Sequence, residues 1–112
     1  MRFLSILSAI ALSIHLFSVS DANAGKVYRG SWEGTAKTSL EILSEKPLSV
    51  RYCFRGDCQL HEPSGSIKRM TIKYPRRGDF RGATLKFTKK GDRYEGWYKR
   101  RFETRVYKAT LK

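Results

Sequence analysis

Ala83-Thr84-Leu85-Lys86-Phe87-Thr88-Lys89-Lys90-Gly91-Asp92-Arg93-Tyr94-Glu95-Gly96-Trp97-Tyr98-Lys99 is the stretch that identifies the class of fold. Ala83, Leu85 and Phe87 alternate with Thr84, Lys86 and Thr88. Beyond Lys89-Lys90-Gly91-Asp92, Tyr94, Gly96 and Tyr98 alternate with Arg93, Glu95, Trp97 and Lys99. Two runs of period 2 on either side of a Gly-Asp turn describe a β-hairpin with one apolar and one polar face. Upstream, Met70, Ile72 and Tyr74 alternate with Arg69, Thr71 and Lys73 until Pro75-Arg76-Arg77-Gly78-Asp79 breaks the run. Downstream, Phe102 to Leu111 places Tyr107, Ala109 and Leu111 on one face.

The N-terminal half reads the same way, more faintly. Lys26 to Lys37 is one strand candidate. Ser39–Leu43 and Leu48–Phe54 flank Ser44-Glu45-Lys46-Pro47, and Leu48, Val50, Tyr52 and Phe54 share a face. Residues 59–66, with Pro63 and Gly65, read as a loop. A helical rival at Thr38–Ser44, with Leu40 and Leu43 three apart, is too short to stand alone. The expectation is an all-β domain of about seven or eight short antiparallel strands over residues 25–112. Such strands need closure or a second layer, so a small up-and-down barrel is expected, with a β-sandwich as the alternative.

Residues 1–24 stand apart. After Arg2, residues 3–20 contain no acid, lysine or arginine, and Ala22-Asn23-Ala24 is a small-x-small site before Gly25. This pattern is that of a cleaved signal peptide and predicts export, to the periplasm or beyond. The rival is an uncleaved anchor, which the 18-residue run is just long enough to form. Export makes a disulfide between Cys53 and Cys58 chemically available. The four residues between them include Gly56-Asp57, so the two cysteines can face each other across a hairpin.

Of the 112 residues, 23 are Lys or Arg and 10 are Asp or Glu, a net charge of +13. Residues 25–65 hold 6 basic and 5 acidic side chains, whereas residues 66–112 hold 16 and 4. Strand alternation places Arg69, Lys73, Lys86, Arg93, Lys99, Arg105 and Lys108 on one polar phase, and turns add Arg76, Arg77, Lys89, Lys90, Arg100 and Arg101. This is more charge than solubility and protection of sheet edges require. It points to an anionic polymer or lipid surface: lipopolysaccharide, acidic glycan or anionic lipid. Trp97 falls in the basic phase, where it is able to stack on a ligand ring; the opposite phase, with Tyr94 and Tyr98 outside, stays open. Nucleic acid fits an exported chain poorly, although binding in vitro is expected on charge alone.

Gly30-Ser31-Trp32 on the first strand, ahead of an antiparallel meander, resembles the lipocalin and avidin-like (calycin) group of secreted β-barrels. The resemblance implies that Trp32 plugs the closed end of the barrel, with Arg105 or Lys108 over it. It also implies a second functional reading, a carrier of a small apolar ligand lined by Tyr52, Phe54, Tyr94 and Tyr98. The wider pattern, from Trp32-x-Gly34 through the cysteine hairpin to a short last strand, resembles small exported bacterial proteins.

Little in the chain points to catalysis. His61 is the only histidine after residue 24, and its neighbour Glu62 points to the opposite face of a strand. A ribonuclease-like acid–base pair is therefore disfavoured, and His61 reads as a loop residue. A metal set of Cys53, Cys58 and His61 would need both thiols reduced and a fourth ligand. The expectation is a non-catalytic binding protein without cofactor or metal. A structural or inhibitory partner of another exported protein is the third reading.

Overall fold

The computed structural model describes residues 22–75 and 82–112. The 1–21 portion of the expected signal peptide lies outside the described residues, as do Arg76 and Arg77. Nine strands are present among the described residues: β1 (Val27–Trp32), β2 (Ala36–Glu45), β3 (Leu48–Phe54), β4 (Asp57–His61), β5 (Ser64–Ser66), β6 (Arg69–Lys73), β7 (Thr84–Lys90), β8 (Arg93–Lys99) and β9 (Tyr107–Leu111). They form two antiparallel sheets, β1-β2-β3-β4 and β5-β6-β7-β8-β9, in which each strand pairs with its neighbours in sequence.

The 83–99 hairpin is β7–β8, with Leu85 opposite Tyr98 and Phe87 opposite Gly96. Its apolar phase is inward: Leu85, Phe87 and Tyr94 are fully buried, and Tyr98 nearly so. Met70, Ile72 and Tyr74 in and after β6 and Leu48, Val50 and Tyr52 in β3 are buried with them. Alternation works here because successive strand residues point to opposite faces, and only one face of each sheet meets the other.

The all-β, up-and-down expectation therefore holds, but the strands do not close into a barrel; a two-sheet sandwich is the arrangement found. The sheets are joined along one side. Arg29 N–H donates to Lys112 C=O at 3.0 Å, Lys112 N–H returns a bond to Arg29 C=O at 2.9 Å, and Glu33 N–H donates to Lys108 C=O at 2.9 Å. This antiparallel seam between β1 and β9 leaves β4 and β5 as the two sheet edges.

Three local expectations need correction. Lys26–Lys37 is not one strand, because Glu33-Gly34-Thr35 turns the chain between β1 and β2, with positive φ at Glu33 and Gly34. Residues 59–66 are not a plain loop, since they supply most of β4 and all of β5. The last strand begins at Tyr107, and Phe102 sits in the loop before it. The cysteine hairpin is as expected: Cys53 and Cys58 are register partners across β3–β4 and are disulfide-bonded. Closing so short a ring is worth about 2 kcal/mol through the unfolded chain. The bond lies on exposed β4, away from the core. Replacing both cysteines with serine is expected to lower the unfolding free energy by that amount in denaturant titrations while leaving the β-sheet spectrum intact. Loss of the spectrum would refute this.

His61 is not a loop residue. It ends β4, and its Nε2 lies 3.1 Å from the Tyr74 hydroxyl, with the rings packed edge to face at 5.0 Å. It thus links the edge of the first sheet to the end of β6. Desolvation by burial pushes the His61 pKa below its ordinary 6.5. The unfolded chain therefore binds more protons than the native state just below pH 6.5, and stability falls as the pH drops through that window. Once the lower, folded-state pKa is passed, no further loss comes from this group. His61→Gln, which keeps a hydrogen bond to Tyr74 within reach, is expected to flatten this acid limb in denaturation curves; an unchanged limb would assign it elsewhere.

Candidate functional site

The charge asymmetry of the sequence follows the division between the sheets. The nearly neutral half builds β1–β4, where Arg51 on the outer face is paired with Glu41 at 2.7 Å. The basic half builds β5–β9. Register sets its outer face in cross-strand rows. One row runs Ser64, Thr71, Lys86, Trp97, Lys108; the next runs Lys73, Thr84, Lys99; a third runs Ser66, Arg69, Thr88, Glu95, Thr110.

Trp97 stands at the centre of this face. Tyr94 and Tyr98 point inward and are buried, so the open alternative with the tyrosines outside does not hold. The reason lies at Gly96, which shares their inward phase. A Cβ at Gly96 would lie 2.8 Å from the Trp32 ring and 3.3 Å from Phe87. Trp32 thus fills the space that Gly96 leaves in β8, and the phase of the strand is locked. Lys86 Nζ lies 4.8 Å from the centre of the Trp97 ring, a cation–π contact that holds both side chains against the sheet.

Two open grooves flank the Lys86–Trp97 pair. One, of about 560 Å³, is lined by Lys73, Lys99, Arg100 and Arg101 with Thr71 and Thr84. The other, of about 500 Å³, is lined by Arg69, Lys90 and Lys108 with Thr88 and Glu95. Lys86 and Trp97 line both, so the grooves form one continuous track across the sheet. Cations and hydroxyls on a flat surface around one aromatic ring match repeated anionic groups on a polymer of sugars or a lipid headgroup layer.

Not every expected residue joins this track. Arg93 pairs with Lys90 at the β7–β8 turn and lines neither groove. Arg105 lies over the Tyr107 ring at 4.6 Å, at the end of the sandwich. Lys108 faces outward into the second groove and does not cap Trp32, because its neighbour Ala109 takes the inward phase of β9. Lys90, one of the turn cations expected from sequence, lines the second groove, while Thr71 and Thr84 enter from register, which no local pattern shows.

Trp32 is 4% exposed and bridges the sheets, its Nε1–H donating to the Tyr52 hydroxyl at 2.8 Å. Its ring packs on Tyr98 at 5.7 Å and Phe87 at 6.1 Å. Burial raises the Tyr52 pKa above 10.0, only partly opposed by its hydrogen bonds to Thr38 and Trp32. Burial likewise raises that of Tyr94, whose hydroxyl donates to the Ile67 carbonyl. These phenols stay neutral: Tyr52 accepts from Trp32, and Tyr94 donates to the backbone. Tyr52 and Phe87 pack with ring centres 5.8 Å apart between the sheets, and Tyr94 is fully buried edge to face with Tyr28. The disulfide ties up both thiols, so Cys53 and Cys58 offer no thiolate for a metal.

No protein-family model matches the chain, and neither a curated protein nor a solved structure matches it.

Proposed function

We propose that the protein is a non-catalytic, exported binding protein that holds anionic polymers of the cell envelope on the outer face of its second sheet. The observation that carries this reading is the track centred on Trp97, where Lys73, Lys86, Lys99, Arg100 and Arg101 converge on one groove. Only Arg100 among these five has a carboxylate within ion-pair distance among the described residues, Glu103 at 3.5 Å. Register places Lys73, Lys86 and Lys99 as diagonal neighbours on β6, β7 and β8, interleaved with threonines and Trp97, so their heads are spaced across the face for successive charges of a polyanion. Export rests on the 1–24 signal pattern and is in keeping with the disulfide. Retention on immobilised heparin or lipopolysaccharide at low salt, with steep loss as salt rises, is the expected result; passage through both columns at low salt would refute the proposal.

One feature favours an anionic lipid surface as the second reading. Phe102 is 89% exposed, under the Arg101 guanidinium at 5.0 Å, in the loop between β8 and β9. An aromatic ring projecting among arginines suits a headgroup layer, where the ring enters the interface and the cations meet phosphates. Phe102→Ala is expected to weaken binding to vesicles rich in phosphatidylglycerol and to leave heparin retention unchanged. Equal loss in both assays would remove the lipid reading.

A further inference from the structure

We infer that the Trp32 end of the sandwich is a second binding site, which meets the basic track only at Arg100, for a compact organic anion with a flat apolar body. A cavity of about 320 Å³ opens there, at the small end of the range for small-molecule sites. Its floor is aromatic, with Trp32 and Tyr98 at the bottom. Because the Trp32 N–H is already donated to Tyr52, the indole offers a guest only its ring.

The rim carries three arginines held by aromatic side chains, two stacked on a ring and one hydrogen-bonded to a phenol. The Arg55 guanidinium lies 5.3 Å from the centre of the Phe54 ring, and that of Arg105 lies 4.6 Å from the centre of Tyr107. Arg100 Nε–H donates to the Tyr98 hydroxyl at 2.9 Å, and that bond, first among several causes, raises its pKa. A guanidinium stacked on a ring keeps its in-plane N–H donors for a ligand, and their fork matches a carboxylate, sulfonate or phosphate. Arg100 also meets Glu103, whereas Arg55 and Arg105 have no carboxylate within ion-pair distance among the described residues. Among the described residues, Glu33 is the one acid on the wall. Three cations against one carboxylate select an anionic head, and the rings below select a planar body. The cleft is smaller and less open than either groove of the track, which suits a compact ligand better than a chain.

The two tryptophans report separately, Trp32 on this cavity and Trp97 on the track. The probe is naphthalene-2-sulfonate, with 2-naphthol as its uncharged counterpart, added to the folded protein while the two indole N–H resonances are followed by NMR. The sulfonate is expected to shift the Trp32 resonance saturably and to leave that of Trp97 in place. Naphthol, or the variant Arg55→Gln with Arg105→Gln, is expected to bind about tenfold more weakly or worse, as befits one lost charge-assisted hydrogen bond. Arg55 and Arg105 line neither groove of the track, so the variant is expected to keep wild-type heparin retention and melting temperature. Movement of Trp97 alone, equal binding of naphthol and sulfonate, or wild-type affinity in the variant would each overturn the inference. Failure of heparin retention would leave it standing, since that assay reads only the track.

Discussion

Gly30→Ala is expected to lower the melting temperature by about 15 °C, from a single added methyl group. In β1, the Cβ would lie 2.1 Å from the Thr110 carbonyl oxygen and 3.2 Å from the Leu111 Cα. Both are backbone atoms of β9, so no rotamer change relieves the overlap, and the seam between the sheets has to open. Two effects compete. Alanine in place of glycine within a strand ordinarily stabilises by about 0.5–1 kcal/mol, because the unfolded chain loses freedom. Overpacking against a rigid neighbour costs about 3 kcal/mol at the upper end of the usual range, and it wins here. That is a large fraction of the margin of a domain this small. Gly96→Ala makes a useful comparison, because its nearest contact, at 2.8 Å, is the edge of the Trp32 ring, which is able to shift. It is expected to lose less. Thermal unfolding followed by circular dichroism checks both; a Gly30→Ala protein melting at the wild-type temperature would show that β1 and β9 are not joined as described.

The second large effect concerns the track. Neutralising Lys73, Lys86 and Lys99 to glutamine is expected to weaken heparin binding by about two orders of magnitude at low salt. It is also expected to reduce the slope of log affinity against log salt by about 2–3, since each neutralised contact releases roughly one fewer counterion. The decisive control removes the same net charge from the other sheet: Arg29→Gln, Lys37→Gln and Lys46→Gln, all exposed. If binding depended on overall charge alone, the two triple variants would lose equally, and the proposed surface would be refuted. If the Trp97 track is the site, the control keeps most of its affinity. Trp97→Ala adds a separate reading, because loss of a stacking partner lowers affinity without changing the salt slope.

Residues facing both inward and outward made much of the fold legible. β7, β8, β6 and β3 were readable because their apolar phase meets the opposite sheet and their polar phase meets water. β4 and β5 were not, because all or most of their side chains are exposed, and Leu60 at 66% carries no inward signal. Their pairing comes from backbone hydrogen bonds and from the cysteine hairpin, to which side-chain alternation is blind. The choice between barrel and sandwich turned on those same edges, so it too lay beyond periodicity. At the candidate site, register gathered Lys73, Lys86 and Lys99 as the polar phase required. Arg55 was invisible as a site residue: it sits in the β3–β4 turn, and only the packing of the sheets brings it near Arg105.

The seam between β1 and β9 also bears on how long the native state lasts. Every other strand pair is a hairpin between sequence neighbours, able to form in microseconds on its own. The seam alone joins opposite ends of the described chain, so it bears the largest loop-closure entropy and forms late. Contacts made after the transition state govern the rate of unfolding rather than that of folding. Hydrogen bonds between Arg29 and Lys112 therefore act as a latch: they hardly change how fast the protein is made, but they set how seldom it opens.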